Sequence, residues 1–204
     1  MGFLQAMGKP IVCALQSLTQ ACWDWQYVPD VFRIARIVPL RKLGRGKYWE
    51  VKNWRPISLL NTIGKVMEAV TARCLQDIAE NHGLLPNTQM GARRKHSTET
   101  AIDMLLSQIR TTWASEGVAT VLSMDMTGAY DHVIKDRLTH ILREKGVPAG
   151  LTGWVHSFMS NRRATFIFDG RESELLNIAA GIPQGSPISP ILFLFYNSEL
   201  LQPA

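Results

Sequence analysis

Four stretches of the chain hold residue types that could do chemistry. In Val121-Leu122-Ser123-Met124-Asp125 an apolar, strand-like run delivers a carboxylate at its end. Desolvating that charge is costly unless something neutralises it. Mg²⁺, a hard cation that takes carboxylate and carbonyl oxygens, would do so; a simple turn cap would also explain an Asp here. Asp131 precedes a predicted helix and suits its N-cap. The second stretch runs Pro183-Gln184-Gly185-Ser186-Pro187-Ile188-Ser189-Pro190. Gly185 permits close approach of a backbone or a ligand, Gln184 offers a donor and an acceptor, and the prolines stiffen the path into a helix. An ordinary rigid loop would look the same. The third is Asn53-Trp54-Arg55-Pro56-Ile57-Ser58-Leu59-Leu60-Asn61, preceded by the basic run 41–47. A guanidinium at Arg55, on a rigid extended segment, suits bidentate phosphate recognition, with Lys42 as a point charge on the same phosphates. A solvated hairpin is the plainer alternative. In the fourth, Arg93, Arg94 and Lys95 run into a helix N-terminus, where anions are favoured. Single-stranded nucleic acid would suit that cluster, and so would an ordinary charged surface.

The elements that must position these groups follow from periodicity and punctuation. Helices are predicted over about 11–22, 62–81, 134–145 and 151–160, and after Pro187. A further helix starts at an N-cap on Ser97 and carries an apolar stripe of Ile102, Leu105, Leu106, Ile109 and Trp113. Residues 32–40 alternate basic and apolar, as a strand with one wet face does. Residues 118–125 read as a buried strand. Residues 164–169 and 174–178 read as a hairpin turning at Asp169-Gly170. Mixed helices and hairpins predict an α/β or α+β fold.

Composition narrows the classes. The 204 residues are 46% hydrophobic and 19% charged, which argues against disorder. Residues 1–65 hold 10 basic and 3 acidic side chains, whereas 66–204 hold 12 and 14. A basic lobe thus leads a nearly neutral one, as a polyanionic partner would favour. Three cysteines with no close pair support neither a disulfide framework nor a zinc cluster. The five histidines form no metal-binding pattern. No signal peptide or membrane-spanning run is visible, and Met1-Gly2 is not followed by the Ser or Thr that myristoylation requires.

Taken together, the order and spacing of these blocks are specific. From about Ala35 to Leu200 the chain resembles the reverse transcriptase domain of non-LTR (LINE-type) retrotransposons, most closely those of fungi. The residues that carry the resemblance are Val38-Pro39-Leu40-Arg41-Lys42, Trp54 to Asn61 with Gly64-Lys65 and Glu68, and Leu84-Leu85-Pro86. They continue through Gln89-Met90-Gly91, Ser97-Thr98-Glu99, Asp125 to Asp131, Gly181 to Pro187 and Pro190 to Asn197. The resemblance implies right-hand polymerase fingers over 1–117, with a helical lead-in, and a partial palm over 118–204, without a thumb. It implies RNA-directed DNA polymerisation, in which a primer 3′-hydroxyl attacks a deoxynucleoside triphosphate with two Mg²⁺ ions. Asp125 would be a metal-binding catalytic carboxylate and the Met126 carbonyl a second ligand to the same ion. Lys42 and Arg55 would grip the triphosphate, and Tyr130 would exclude a 2′-hydroxyl. Gln184 and Gly185 would lie near the template and the nascent base pair, and Arg93, Arg94 and Lys95 would touch the template backbone. The implied partners are an RNA template, a DNA primer and the triphosphate, in the nucleus and cytoplasm and with no membrane.

Departures from the family pattern shape the expectation. Lys42-Leu43-Gly44-Arg45 lacks the usual turn proline, and Tyr130 replaces the commoner Phe. The family's Asp-Asp metal motif is absent: no such pair occurs before Ala204. The 204 residues are therefore expected to be inactive alone. A catalytically dead nucleic-acid-binding remnant and a non-functional relic of a decayed element are the alternative readings.

Overall fold

The computed structural model describes residues 8–44 and 47–201. The Met1-Gly2 start and the Arg45-Gly46 part of the basic loop lie outside them. Six helices are described: α1 (Gly8–Asp24), α2 (Thr62–Asn81), α3 (Thr98–Ala114), α4 (Lys135–Glu144), α5 (Ala149–Met159) and α6 (Ser189–Asn197). Strands β1 (Ile34–Arg41) and β2 (Trp54–Leu59) lie between α1 and α2, and β3 (Arg162–Phe168), β4 (Arg171–Glu172) and β5 (Leu176–Ile178) lie between α5 and α6. This is the mixed class that the sequence pattern predicts.

Local chemistry sets most boundaries. Asn61 caps α2, its side-chain oxygen accepting from the N–H groups of Ile63 at 2.9 Å and Gly64 at 3.3 Å. At the far end Gly83 takes φ +61° and the Leu84 N–H bonds back to Ala79. Ser97 caps α3 through the Thr100 N–H, as predicted. The hairpin turns at Asp169 and Gly170, both at positive φ, which matches the twist of its strands.

The sheet order is β2-β1-β3-β4, with β5 also on β3. β1 runs antiparallel to β2 and parallel to β3. Pro39 and Pro56 face each other across β1 and β2. Neither has an N–H, so theirs is a non-hydrogen-bonded pair. The alternation then makes Ile37 and Ser58 a pair of the same kind, and the Ser58 N–H points away from β1.

The core lies among α1, α2, α4, α5 and α6. Met67, Leu75, Leu138, Trp154, Phe158, Leu192 and Phe195 are buried there, with the Trp154 and Phe158 rings stacked at 5.4 Å. A smaller cluster of Ala35, Ile37 and Ala164 lies on the sheet.

Three expectations fail. Residues 118–125 form no strand, and they are largely exposed, Leu122 by 79% and Met124 by 84%. A strand requires a neighbour for its N–H and C=O groups, and the five described strands pair only with one another. Helix α3 forms where the sequence predicts it, and none of its described residues is buried. Asp131 does not cap α4, whose N-cap position is Ile134. Instead its N–H closes a turn onto the Gly128 carbonyl at 2.9 Å. The first strand begins at Ile34, because Asp30–Phe32 is wound into a 3₁₀ turn.

Candidate functional site

The free Ser58 N–H is the starting point of the site. It donates to the Gln184 carbonyl at 2.7 Å, so the 181–189 loop is seated on the outer edge of β2. The next residue, Gly185, has φ +114°, and a Cβ there would lie 2.7 Å from the Ser58 carbonyl oxygen. Only glycine fits both that conformation and that approach. Upstream in the loop, the Ile182 N–H bonds to the Tyr130 carbonyl at 2.9 Å and the Gly181 N–H to the Val133 carbonyl at 3.0 Å. Main-chain bonds thus join three blocks that are far apart in sequence: 54–61, 125–133 and 181–189.

Side chains tighten the same loop. The Arg162 guanidinium donates to the Gly181 carbonyl at 2.5 Å. The Ser189 hydroxyl donates to the Pro183 carbonyl at 2.9 Å. The Ser186 hydroxyl donates a short hydrogen bond to Glu68, which is 2% exposed on α2. Burial pushes the Glu68 carboxyl up to about 7, opposed by the Ser186 bond and by the charges of Lys65 and Arg162. Burial also brings Arg162 down to about 10, although Glu68 opposes the shift. A cavity of about 210 Å³ beside this network is lined by Pro56, Ser58, Asp131, Arg162 and Gln184 among others.

Tyr130 is half-buried, its ring 5.2 Å from that of Phe193 on α6, and burial raises its hydroxyl pKa. It lines a cavity of about 360 Å³ with Gln89, Met90, Gly91, Pro190 and Asn197. Gln89 is buried, its side-chain amide donating to the Leu194 carbonyl at 3.0 Å, which fixes the 89–91 turn against α6.

Lys42 and Arg55 sit at one end of the β1–β2 ribbon. The Lys42 ammonium donates to the Lys52 carbonyl at 2.6 Å. Arg55 is exposed and alternates with Trp54 and Pro56, so it projects from the opposite face of β2. Among the described residues, no ion pair or side-chain hydrogen bond engages its guanidinium.

The structure does not bring the remaining residues into this arrangement. Asp125 and Met126 lie on the exposed 118–127 segment. No three His, Cys, Asp or Glu among the described residues could hold a metal ion together. Arg93 is pinned within the chain: it pairs with Glu80 at 2.7 Å and donates to the Pro86 and Gln89 carbonyls. That pairing holds the Glu80 carboxyl below its usual range and raises Arg93. Arg94 pairs with Asp77 at 2.5 Å, and Lys95 is exposed at φ +62°. Sequence reading gave no role to Glu68, Ser186 or Arg162. The available signal was helical phase: Glu68 shares a face of α2 with Gly64, Met67, Thr71 and Leu75, all buried.

A family model described as reverse transcriptase (RNA-dependent DNA polymerase) matches residues 41–204. The chain is 30% identical over 200 residues to a probable RNA-directed DNA polymerase from transposon X-element of Drosophila melanogaster, covering 98% of this chain and 22% of that protein. It is 28% identical over 177 residues to the RNA-directed DNA polymerase from mobile element jockey of the same species, covering 87% and 19%. It is 26% identical over 150 residues to a retrovirus-related Pol polyprotein from type-1 retrotransposable element R2 of Popillia japonica, covering 73% and 20%. The chain spans about a fifth of the length of these curated relatives.

Proposed function

The chain belongs to the reverse transcriptase (RNA-dependent DNA polymerase) family, in the form found in non-LTR, LINE-type elements, and from that premise we propose that it supplies the template- and triphosphate-holding part of an RNA-directed DNA polymerase. The observation that carries this reading is the main-chain clamp from Ser58 to Gln184 and from Ile182 to Tyr130. It joins the segment with Arg55, the aromatic Tyr130 and the Gln184–Gly185 loop, the three groups assigned to the triphosphate, its sugar and the template. Arg55 and Lys42 would hold phosphates, Arg55 by a bidentate fork. Tyr130 would press on the sugar, and Gln184 with Gly185 would face the nascent pair.

Fingers over 1–117 and a partial palm over 118–204 then describe roles rather than separate cores, since β1 and β3 share a sheet. Arg94 and Lys95 remain candidates for template backbone contact, whereas Arg93 serves first as an internal staple. The family generally uses Mg²⁺. In this chain Asp125 and the Met126 carbonyl would provide one edge of such a site. Among the described residues no helix is long and apolar enough to cross a membrane; residence in the nucleus and cytoplasm is part of the same proposal.

A binding role for these 204 residues, with no chemistry of their own, is favoured by the lack, among the described residues, of any group of three His, Cys, Asp or Glu that could hold a metal ion. Two measurements on the purified chain test both points. Binding of a fluorescent RNA-template, DNA-primer duplex should weaken steeply with salt, and Arg55→Ala should lower triphosphate affinity about tenfold. No primer extension should occur with Mg²⁺. Unaltered affinity in the Arg55 variant would defeat the phosphate assignment, and extension would defeat the binding-only reading.

A further inference from the structure

Among the described residues, Glu68 is the one acidic side chain buried in the core beside the candidate site. It lies on α2, two turns after the cap that ends the Trp54–Asn61 block, and it meets the Gly181–Ile188 loop through Ser186. Ser186 is itself buried. Its oxygen accepts from the Ile188 N–H at 3.3 Å while its proton goes to the carboxyl. The hydroxyl is thus committed on both sides and cannot swing to another partner. The other Glu68 oxygen has no hydrogen-bond partner in the described structure. Neither does the indole N–H of Trp154, which lines the same small void along with Gly64 and Phe158. A carboxyl with an unmatched oxygen in an apolar pocket is costly to keep. Packing alone would be better served by Leu or Met, so the Ser186 bond is what the position is used for.

We propose that Glu68 is a positioning residue: through Ser186 it fixes the loop so that Gln184 and Gly185 stay against Ser58 on β2, where the template and nascent pair are read. The inference deepens the function proposed above and rests on it only for what the loop contacts. Six of the bonds described hold the loop, and five of them end on main-chain carbonyl groups: those from Ser58, Arg162 and Ser189 to loop carbonyls, and those from Ile182 and Gly181 to Tyr130 and Val133. Any sequence would offer those carbonyls. The Glu68–Ser186 bond is side chain to side chain, so it alone fixes which residue of the loop sits at α2, and with it the register of Gln184.

The charge state has a calculable consequence. The charged groups facing the carboxyl are Lys65 on its own helix and Arg162 from β3. The loop contributes no ionisable side chain, and Val28, Phe32, Trp154 and Phe158 around it are apolar. Because burial raises the folded pKa to about 7 from 4.5, the folded state keeps the Glu68 proton longer than the unfolded chain does. That contribution to stability is complete below about 4.5 and is lost as pH rises through about 7.

The test is amide hydrogen exchange on the 204-residue chain, read as protection relative to the intrinsic rate at each pH. Ser186→Ala and Glu68→Ala should lower protection of the Ser58 amide at least tenfold and leave Leu142 in α4 within threefold. Glu68→Gln, whose carboxamide oxygen can still accept from Ser186, should stay within threefold at both. Leu75→Ala, a core variant of α2, serves as the control for general destabilisation: it should lower Tm without singling out Ser58. The Tm of Glu68→Gln minus that of the unaltered chain should rise from pH 5 to pH 8. Unchanged Ser58 protection in both alanine variants, a Glu68→Gln as impaired as Glu68→Ala, or a flat Tm difference would overturn the proposal. Triphosphate binding in the presence of the template–primer duplex separates this failure from failure of the functional reading. Binding lost in Arg55→Ala but kept in Ser186→Ala overturns the positioning role alone, and binding lost in neither overturns the reading of the site.

Discussion

The Gly181–Ser189 loop and the 118–127 segment both carry polar groups out of apolar sequence, and both hold residues assigned to the site. Their physical states are opposite. The loop is held by main-chain bonds to Ser58, Tyr130 and Val133, and by side chains from Arg162, Glu68 and Ser189. Most of it is buried, and it leads into α6, whose Ile191, Leu192 and Phe195 enter the core. The segment with Asp125 has no such neighbours. It follows α3, a helix of good local character that buries nothing. What differs is the supply of partners at long sequence separation, since local propensity and capping are adequate in both places. A helix or strand gains its stability from the face it buries more than from its own residues.

The comparison can be broken first, and with the largest effect, at the two helices. Phe195→Ala removes a ring that is wholly buried on α6, and it should cost about 3–5 kcal/mol. Trp113→Ala on α3 removes a larger ring that is 65% exposed, and it should stay within about 0.5 kcal/mol. Thermal melts of the two variants decide the point. Equal shifts would mean that α3 has a buried face after all, and the contrast between the two regions would collapse.

A smaller effect sharpens the comparison within the loop itself. Gly185→Ala would place a methyl 2.7 Å from the Ser58 carbonyl, at φ +114°. It should cost about 1–3 kcal/mol and release the Ser58 amide to exchange. Gly146→Ala, at φ +75° with open space around its missing Cβ, meets the backbone penalty alone and should cost about 1 kcal/mol. If the two substitutions cost the same, the close approach at Ser58 is not what holds the loop.

The same distinction explains what could be read from the sequence. The ends of α2 follow from Asn61 and Gly83, the start of α3 from Ser97, and the hairpin from Asp169-Gly170, because each signal acts within a few residues. The Ser58 N–H is also implicit in the sequence, through the parity set by Pro39 and Pro56, but only once β1 and β2 are known to pair. The strand expected at 118–125 went astray because apolar composition says that a segment should be covered and does not say what covers it. Asp131 lost its predicted cap role for a local reason: Gly128 at φ +65° opens a turn that takes up the Asp131 and His132 N–H groups before α4 begins. Glu68 carries part of the resemblance but yields no role from the sequence, because a carboxylate on the apolar face of a helix is legible only as an anomaly, while its partner, Ser186, lies 118 residues away.

The smallest expected effect concerns Asp125. If the carboxylate is unsupported, Asp125→Asn should change stability by less than about 0.5 kcal/mol, as for a surface substitution away from any special contact. Amides 118–127 should exchange at close to their intrinsic rates, and the substitution should leave those rates unchanged, since among the described residues the segment donates no main-chain hydrogen bond to another element. This measurement is informative because the null effect is specific. A carboxylate already neutralised inside the fold would leave an uncompensated partner on conversion to Asn, and the loss would exceed 1 kcal/mol. A shift of that size, or slow exchange at residues 121–125, would place a partner beside Asp125 and bring the segment into the same physical class as the loop.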